Sequence, residues 1–190
     1  MSTWTPGYVE VEHGFDAEFC PDPVPSGYQW CMVYAGGSSA AHPWDSAELA
    51  RVAHLPRLPV WVPTPGTDNP VTAAAELMAW LRGHKVPAGT HVMWDMETGQ
   101  EPDPQWLGKA ADAVRKAGWL NLIYGSVSSI FGQPRRDGYV VANPTGQPHM
   151  YAAANVRATQ YSFNVTEPGG QIDQDLMAVD LVRQLWKPTP

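Results

Sequence analysis

Cysteine is nearly absent: the 190 residues hold 2, Cys20 and Cys31, eleven apart. They form no CxxC pair and have no histidine at ligand spacing, which argues against zinc and against a disulfide framework. Both are read as ordinary buried or half-buried thiols, a single disulfide being the alternative. Positive charge is also scarce. Twelve Lys and Arg stand against 19 Asp and Glu, a net charge of −7, and no basic run offers a local exception. A polyphosphate backbone would be repelled, so nucleic acid is excluded as a partner. No apolar run approaches the ~20 residues that cross a bilayer, so no membrane partner is expected. The start, Met1-Ser2-Thr3-Trp4-Thr5-Pro6, lacks the basic n-region and apolar h-region of a secretory signal peptide. The expectation is a cytoplasmic protein, or one released by lysis or as part of a phage-like particle. Internal repeats and low-complexity tracts are lacking too, and the oligomeric state stays open.

What is present suits one globular domain. Hydrophobic residues make up 44% of the chain and there are 9 Trp, enough for a sizeable core and for sugar-stacking surfaces. The boundaries expected are 1–186 for a single barrel domain and 187–190 for a linker-like tail.

Proline and glycine punctuate the chain into alternating elements. Strands are expected at 11–17, 28–34, 58–62, 91–99, 120–124, 139–142, around 155–161 and at 171–176. Helices fall between several of them. Asp45 and Glu48 have capping-box spacing ahead of Leu49, Val52 and Ala53. Asn69-Pro70 and Asp103-Pro104 each read as a cap followed by proline at the first helical position. Their inward stripes are Val71, Ala74, Leu77, Met78 and Leu81, then Leu107, Ala110, Ala111, Val114 and Ala117. Past the fifth strand the helices are short or missing until an amphipathic one with Met177, Leu181, Val182 and Leu185. About eight strands alternating with helices predict an α/β fold, a compact (β/α)8 TIM-like barrel that economises in its second half, since ~250 residues are typical. A doubly wound sheet is the alternative.

The fourth strand is the chemical centre. In His91-Val92-Met93-Trp94-Asp95-Met96-Glu97, alternation sends Asp95 and Glu97 to one face and Trp94 and Met96 to the other. Two neighbouring carboxylates in a buried setting raise the pKa of at least one, which is poor for stability and useful for acid/base work. The plain alternative is a strand end with two solvated acids. Asp16 on the first strand and Asp173 and Asp175 on the eighth add acids at strand ends, and the C-terminal ends of barrel strands share one mouth. For each single acid a helix cap or loop turn is the alternative.

Gly14-Phe15-Asp16, Asp95-Met96-Glu97, Tyr124-Gly125-Ser126, Thr159-Gln160-Tyr161 and Ile172-Asp173 resemble, in order, the motifs of family 25 glycoside hydrolases, the Chalaropsis-type lysozymes. The chain looks closer still to glycoside-hydrolase-like barrels of unassigned activity in actinobacteria and their phages. The resemblance implies muramidase-type cleavage of β-1,4 bonds in peptidoglycan or a related polysaccharide, with no cofactor. Carried over, Glu97 is the general acid, Asp95 stabilises positive charge at the anomeric carbon or orients the acetamido group, and Asp16 and Asp173 tune the pair. Tyr124, Gln160, Trp61 and Glu18 are the candidate substrate-binding side chains. For Trp61, as for Trp94, core packing is the alternative to a sugar platform. The chain departs from the family pattern at Ala17-Glu18, at Thr159 before Gln160, and at Val141-Ala142-Asn143-Pro144. Two other readings remain at this point: an inactive barrel kept as a glycan-binding or structural module of a phage or secreted assembly, and acids that hold a divalent cation.

Overall fold

The computed structural model describes residues 9–37, 42–63, 69–96, 104–131, 133 and 137–187. Eight strands close into a barrel in sequence order: β1 (Val11–Asp16), β2 (Trp30–Gly37), β3 (Arg57–Val62), β4 (His91–Asp95), β5 (Leu120–Ser126), β6 (Gly138–Ala142), β7 (Val156–Glu167) and β8 (Gly170–Ala178). β1 through β7 run parallel, while β8 pairs antiparallel with both β7 and β1. The eighth strand therefore departs from the all-parallel expectation. Pro168 and Gly169 turn β7 directly into β8, so the chain returns as a hairpin and no crossover helix is needed.

Period-2 alternation divides the apolar residues into two layers. Trp30, Met32, Leu58, Val60, Met93, Leu122, Tyr124, Val140, Ala158 and Met177 fill the barrel interior. Their outward neighbours Cys31, Val33, Trp61, Val92, Trp94, Ile123 and Val141 pack beneath the helices. Fully burying each large side chain contributes about 1.5–3 kcal/mol, so both layers are needed to hold a closed sheet.

Helix α1 (Ser46–Arg51) starts at the expected capping box, with both halves formed between Asp45 and Glu48. Helix α2 (Pro70–Gly83) is capped by the Asn69 side chain and buries Ala73, Ala74, Leu77 and Leu81, whereas Val71 is exposed. Helix α3 (Pro104–Lys116) buries Leu107, Ala110, Ala111 and Val114, and its expected cap Asp103 lies outside the described residues. Only one turn each remains in α4 (Val127–Ile130) and α5 (Val179–Val182). The amphipathic helix expected at the end is thus a single turn, because β8 continues through Met177 to Ala178. Leu181, Val182 and Leu185 join the interior layer and close the lower end of the barrel. The upper end is where β1 to β7 finish.

Candidate functional site

The mouth is built from strand ends. In β1 a Cβ on Gly14 would lie 2.1 Å from the Trp30 ring, so glycine there lets Trp30 cross the interior, its Nε1 donating to Glu12 O at 3.1 Å. Two residues on, Asp16 faces the same interior at the rim. Antiparallel pairing sets Asp16 opposite Asp173 and Gly14 opposite Asp175. Asp173 reaches the mouth from the beginning of its strand, not from its C-terminal end as the parallel expectation had it. Reversal of β8 keeps the acids together.

Gln160 ties this wall. Its Nε2 donates to Asp16 Oδ2 at 3.3 Å and to Asp173 Oδ2 at 3.2 Å, and its Oε1 accepts from the Tyr124 hydroxyl. One amide thereby bridges two carboxylates, and the network fixes which way the amide points. Asn164 N donates to Asp173 Oδ1 at 2.7 Å. Burial raises the Asp173 pKa, and the Asn164 bond partly offsets that. Tyr34, in the interior register after Trp30 and Met32, donates to Asp16; burial, then the charges of Asp16 and Asp95, hold its phenol well above the ordinary value. Asp95 ends β4, buried, in register with Tyr124.

The Tyr124-Gly125-Ser126 motif has a local reason for each member. Tyr124 points inward, Ser126 caps α4, and a Cβ on Gly125 would lie 2.5 Å from Met96 O, where the end of β4 passes. Met96 N donates to Tyr124 O at 2.8 Å, which fixes the backbone at the point where the chain leaves β4 toward Glu97.

Beneath the rim, Asp175 is wholly buried and neither carboxyl oxygen has a hydrogen-bond partner among the described residues. Burial, then the charges of Asp16 and Asp173, hold its pKa well above the usual carboxylate range. Above it opens a cleft of about 440 Å³ whose wall includes Asp16, Glu18, Phe19, Tyr34, Asn164 and Asp173. The β1–β2 loop forming one side is anchored by Glu48 of α1, whose Oε1 accepts from Cys20 N at 3.1 Å and whose Oε2 meets His42 Nε2 at 3.0 Å.

Of the expected site residues, Asp16, Asp95, Asp173, Tyr124 and Gln160 converge on the mouth, and Glu18 stands exposed on the cleft wall. Trp61 does not: it is 5% exposed in the outer layer against Gly36, and Trp94 is likewise buried there, its Nε1 bonded to Asn121 Oδ1 at 2.8 Å. Both take the core-packing alternative. Glu97 lies outside the described residues. Tyr34 and Phe19 were not anticipated; the signal for Tyr34 was its place two residues after Met32 and four after Trp30, and for Phe19 an aromatic in a loop beside acids. The two cysteines are free, and burial pushes the Cys20 thiol up to about 11. Among the described residues no three His, Cys, Asp or Glu side chains gather as metal ligands.

No family model matches the chain, and no curated protein matches it either. Solved structures do. An uncharacterized protein of B. stearothermophilus aligns with a TM-score of 0.75 and 14% identity over 92% of this chain and 100% of its own. GHIP, a glycosyl hydrolase 25 of Streptococcus pneumoniae, gives 0.70 and 13% over 93% and 94%. A muramidase from Trichobolus zukalii gives 0.65 and 16% over 94% and 100%. The chain shares their fold. At such identities the likeness extends to the barrel and stops there.

Proposed function

We propose that this barrel is a glycoside hydrolase of muramidase type, cleaving β-1,4 bonds in peptidoglycan with Glu97 as general acid. One observation carries the reading: Asp16, Asp95, Asp173, Tyr124 and Gln160 meet at the upper end of the barrel, where a cleft of about 440 Å³ is lined by Asp16 and Asp173. Barrels place chemistry at that end, and an oxocarbenium-like transition state asks for a proton donor on one side of the glycosidic bond and negative charge near the ring. Glu97, two residues beyond Asp95, supplies the proton in this scheme and Asp95 the charge. Gln160 holds Asp16 and Asp173 apart yet aligned, and Tyr34 and Tyr124 orient the network. Two of the three similar barrels named above are a glycosyl hydrolase 25 and a muramidase, which supports the reading. The finer resemblance, to barrels of unassigned activity in actinobacteria and their phages, belongs to the same proposal, and the departures at Glu18 and Thr159 bear on how the cleft binds its glycan.

The test is release of reducing ends from purified peptidoglycan by the wild-type chain and by Glu97→Gln. Loss of a general acid lowers the rate about 10²–10⁴-fold. Turnover that survives Glu97→Gln sinks the assignment of the acid, and glycan binding without turnover by the wild type makes the barrel a binding module.

A further inference from the structure

Arg57 opens β3 at the end of the strand remote from the mouth, and it is 3% exposed. A guanidinium keeps its charge at any ordinary pH, so a buried one is costly unless an acid faces it. Among the described residues Arg57 forms no ion pair. Its Nη1 donates to Leu49 O at a long 3.4 Å, its Nε has no hydrogen-bond partner among the described residues, and its Cζ lies 3.5 Å from the centre of the Trp186 ring. Stacking of this kind steadies the cation without supplying a full negative charge. The two backbones pair as well, Arg57 N donating to Trp186 O at 2.9 Å and Trp186 N to Arg57 O at 3.1 Å, which fixes the arrangement. Arg57 and Trp186 line a hollow of about 250 Å³ between α1 and the end of α2, with Leu49, Ala50, Ala53 and His84 among its other walls. None of its lining residues is Asp or Glu. The buried cation therefore belongs to the hollow itself, and what it lacks is an anion.

We infer that this hollow is a binding site for a small organic carboxylate, seated on the Arg57 guanidinium with its hydrocarbon part against Leu49, Ala50, Ala53 and the Trp186 ring. One unpaired guanidinium matches a single negative charge, and its planar set of donors suits two carboxylate oxygens. The apolar walls call for a ligand that is hydrocarbon beyond its charged end. A phosphate group brings more than one charge near neutral pH, and no lysine lines the hollow to take the second. A net charge of −7 gives no general attraction for anions, so binding depends on this one local cation. The hollow lies at the other end of β3 from the mouth, and its occupancy neither needs nor blocks the proposed glycosidase.

The probes are benzoate, benzamide and inorganic phosphate, each titrated calorimetrically into the full chain in low-salt buffer. Benzamide has the shape of benzoate without its charge. Benzoate is expected to bind at least about tenfold more tightly than either, and at about ten times its dissociation constant to raise Tm by about 3–6 °C. Backbone amide NMR signals of Ala50, Arg57 and Trp186 should shift as it binds. Arg57→Met keeps the length of the side chain, removes the charge and is expected to abolish the preference for benzoate over benzamide. Ala50→Trp fills the hollow from an exposed position on α1, leaves Arg57 in place and abolishes benzoate binding, so it carries the test even where Arg57→Met fails to fold. Equal binding of benzamide, tighter binding of phosphate, or NMR shifts confined to other parts of the chain overturns the site. Benzoate binding that survives Ala50→Trp, or no binding by the wild type up to on the order of 10 mM, overturns it as well.

Discussion

Asp175 shows how far single residues were legible. Its place among the acids of the eighth strand is plain in Ile172-Asp173-Gln174-Asp175, since period-2 alternation puts Asp173 and Asp175 on one face. What the letters do not carry is depth: Asp173 reaches the cleft, while Asp175, one pleat lower, is sealed. Its folded pKa is raised above the unfolded value by burial. The sign follows from linkage: stability is fully present below the unfolded carboxylate pKa and is lost as pH rises toward the folded one. Asp175→Asn keeps the shape and removes the titration. Urea unfolding of the two proteins should give nearly equal midpoints near about pH 4, and the variant should become progressively the more stable toward neutrality. A difference that stays constant across that range would refute the account. Gly14 makes the complementary point, because its need is visible only once Trp30 is known to cross the same space; Gly14→Val should leave no folded barrel, seen as loss of near-UV dichroism.

Helices announced themselves at their starts, and strands announced their faces but not their direction. Asp45 with Glu48 and Asn69 with Pro70 use side chains to satisfy open backbone donors, a local chemistry that sequence spacing reveals. Strand alternation is the same read upward or downward, so β8 was taken as parallel. Glu167-Pro168-Gly169-Gly170 was the available hairpin signal. Helix α1 also does something its spacing could not disclose. Glu48 is 6% exposed and serves the capping box, the Cys20 amide and His42 together, thereby tying the cleft loop to the helix. Glu48→Ala should cost about 1–3 kcal/mol, since it strands buried donors. That is a drop of about 2–4 °C in Tm for each kcal/mol in a chain of this size. Hydrogen exchange should quicken at the Cys20 amide while amides of β5 stay protected; uniform loss of protection would mean that Glu48 supports the whole barrel and not the loop.

At the scale of the molecule, the barrel was readable because eight apolar, alternating segments with helices between the earlier ones leave few other closed arrangements. The site was readable in part for the same reason, since a barrel gathers distant strand ends at one mouth: Asp16, Asp95, Gln160 and Asp173 lie far apart in the chain and meet there. Charge adds a constraint that fold does not. If the proposed substrate is right, a chain of net charge −7 approaching an anionic wall is repelled over distances of about a Debye length, about 10 Å at 0.1 M salt. The approach is hindered by the charge of the whole chain, not by any one carboxylate at the mouth. Raising ionic strength from about 0.01 M to about 0.15 M should then speed association with peptidoglycan several-fold. Stopped-flow association with soluble, anionic glycan strands measures it. If the rate fell with salt, a cationic surface would have to dominate the approach, and the acidic balance of the chain would no longer describe how it meets that glycan.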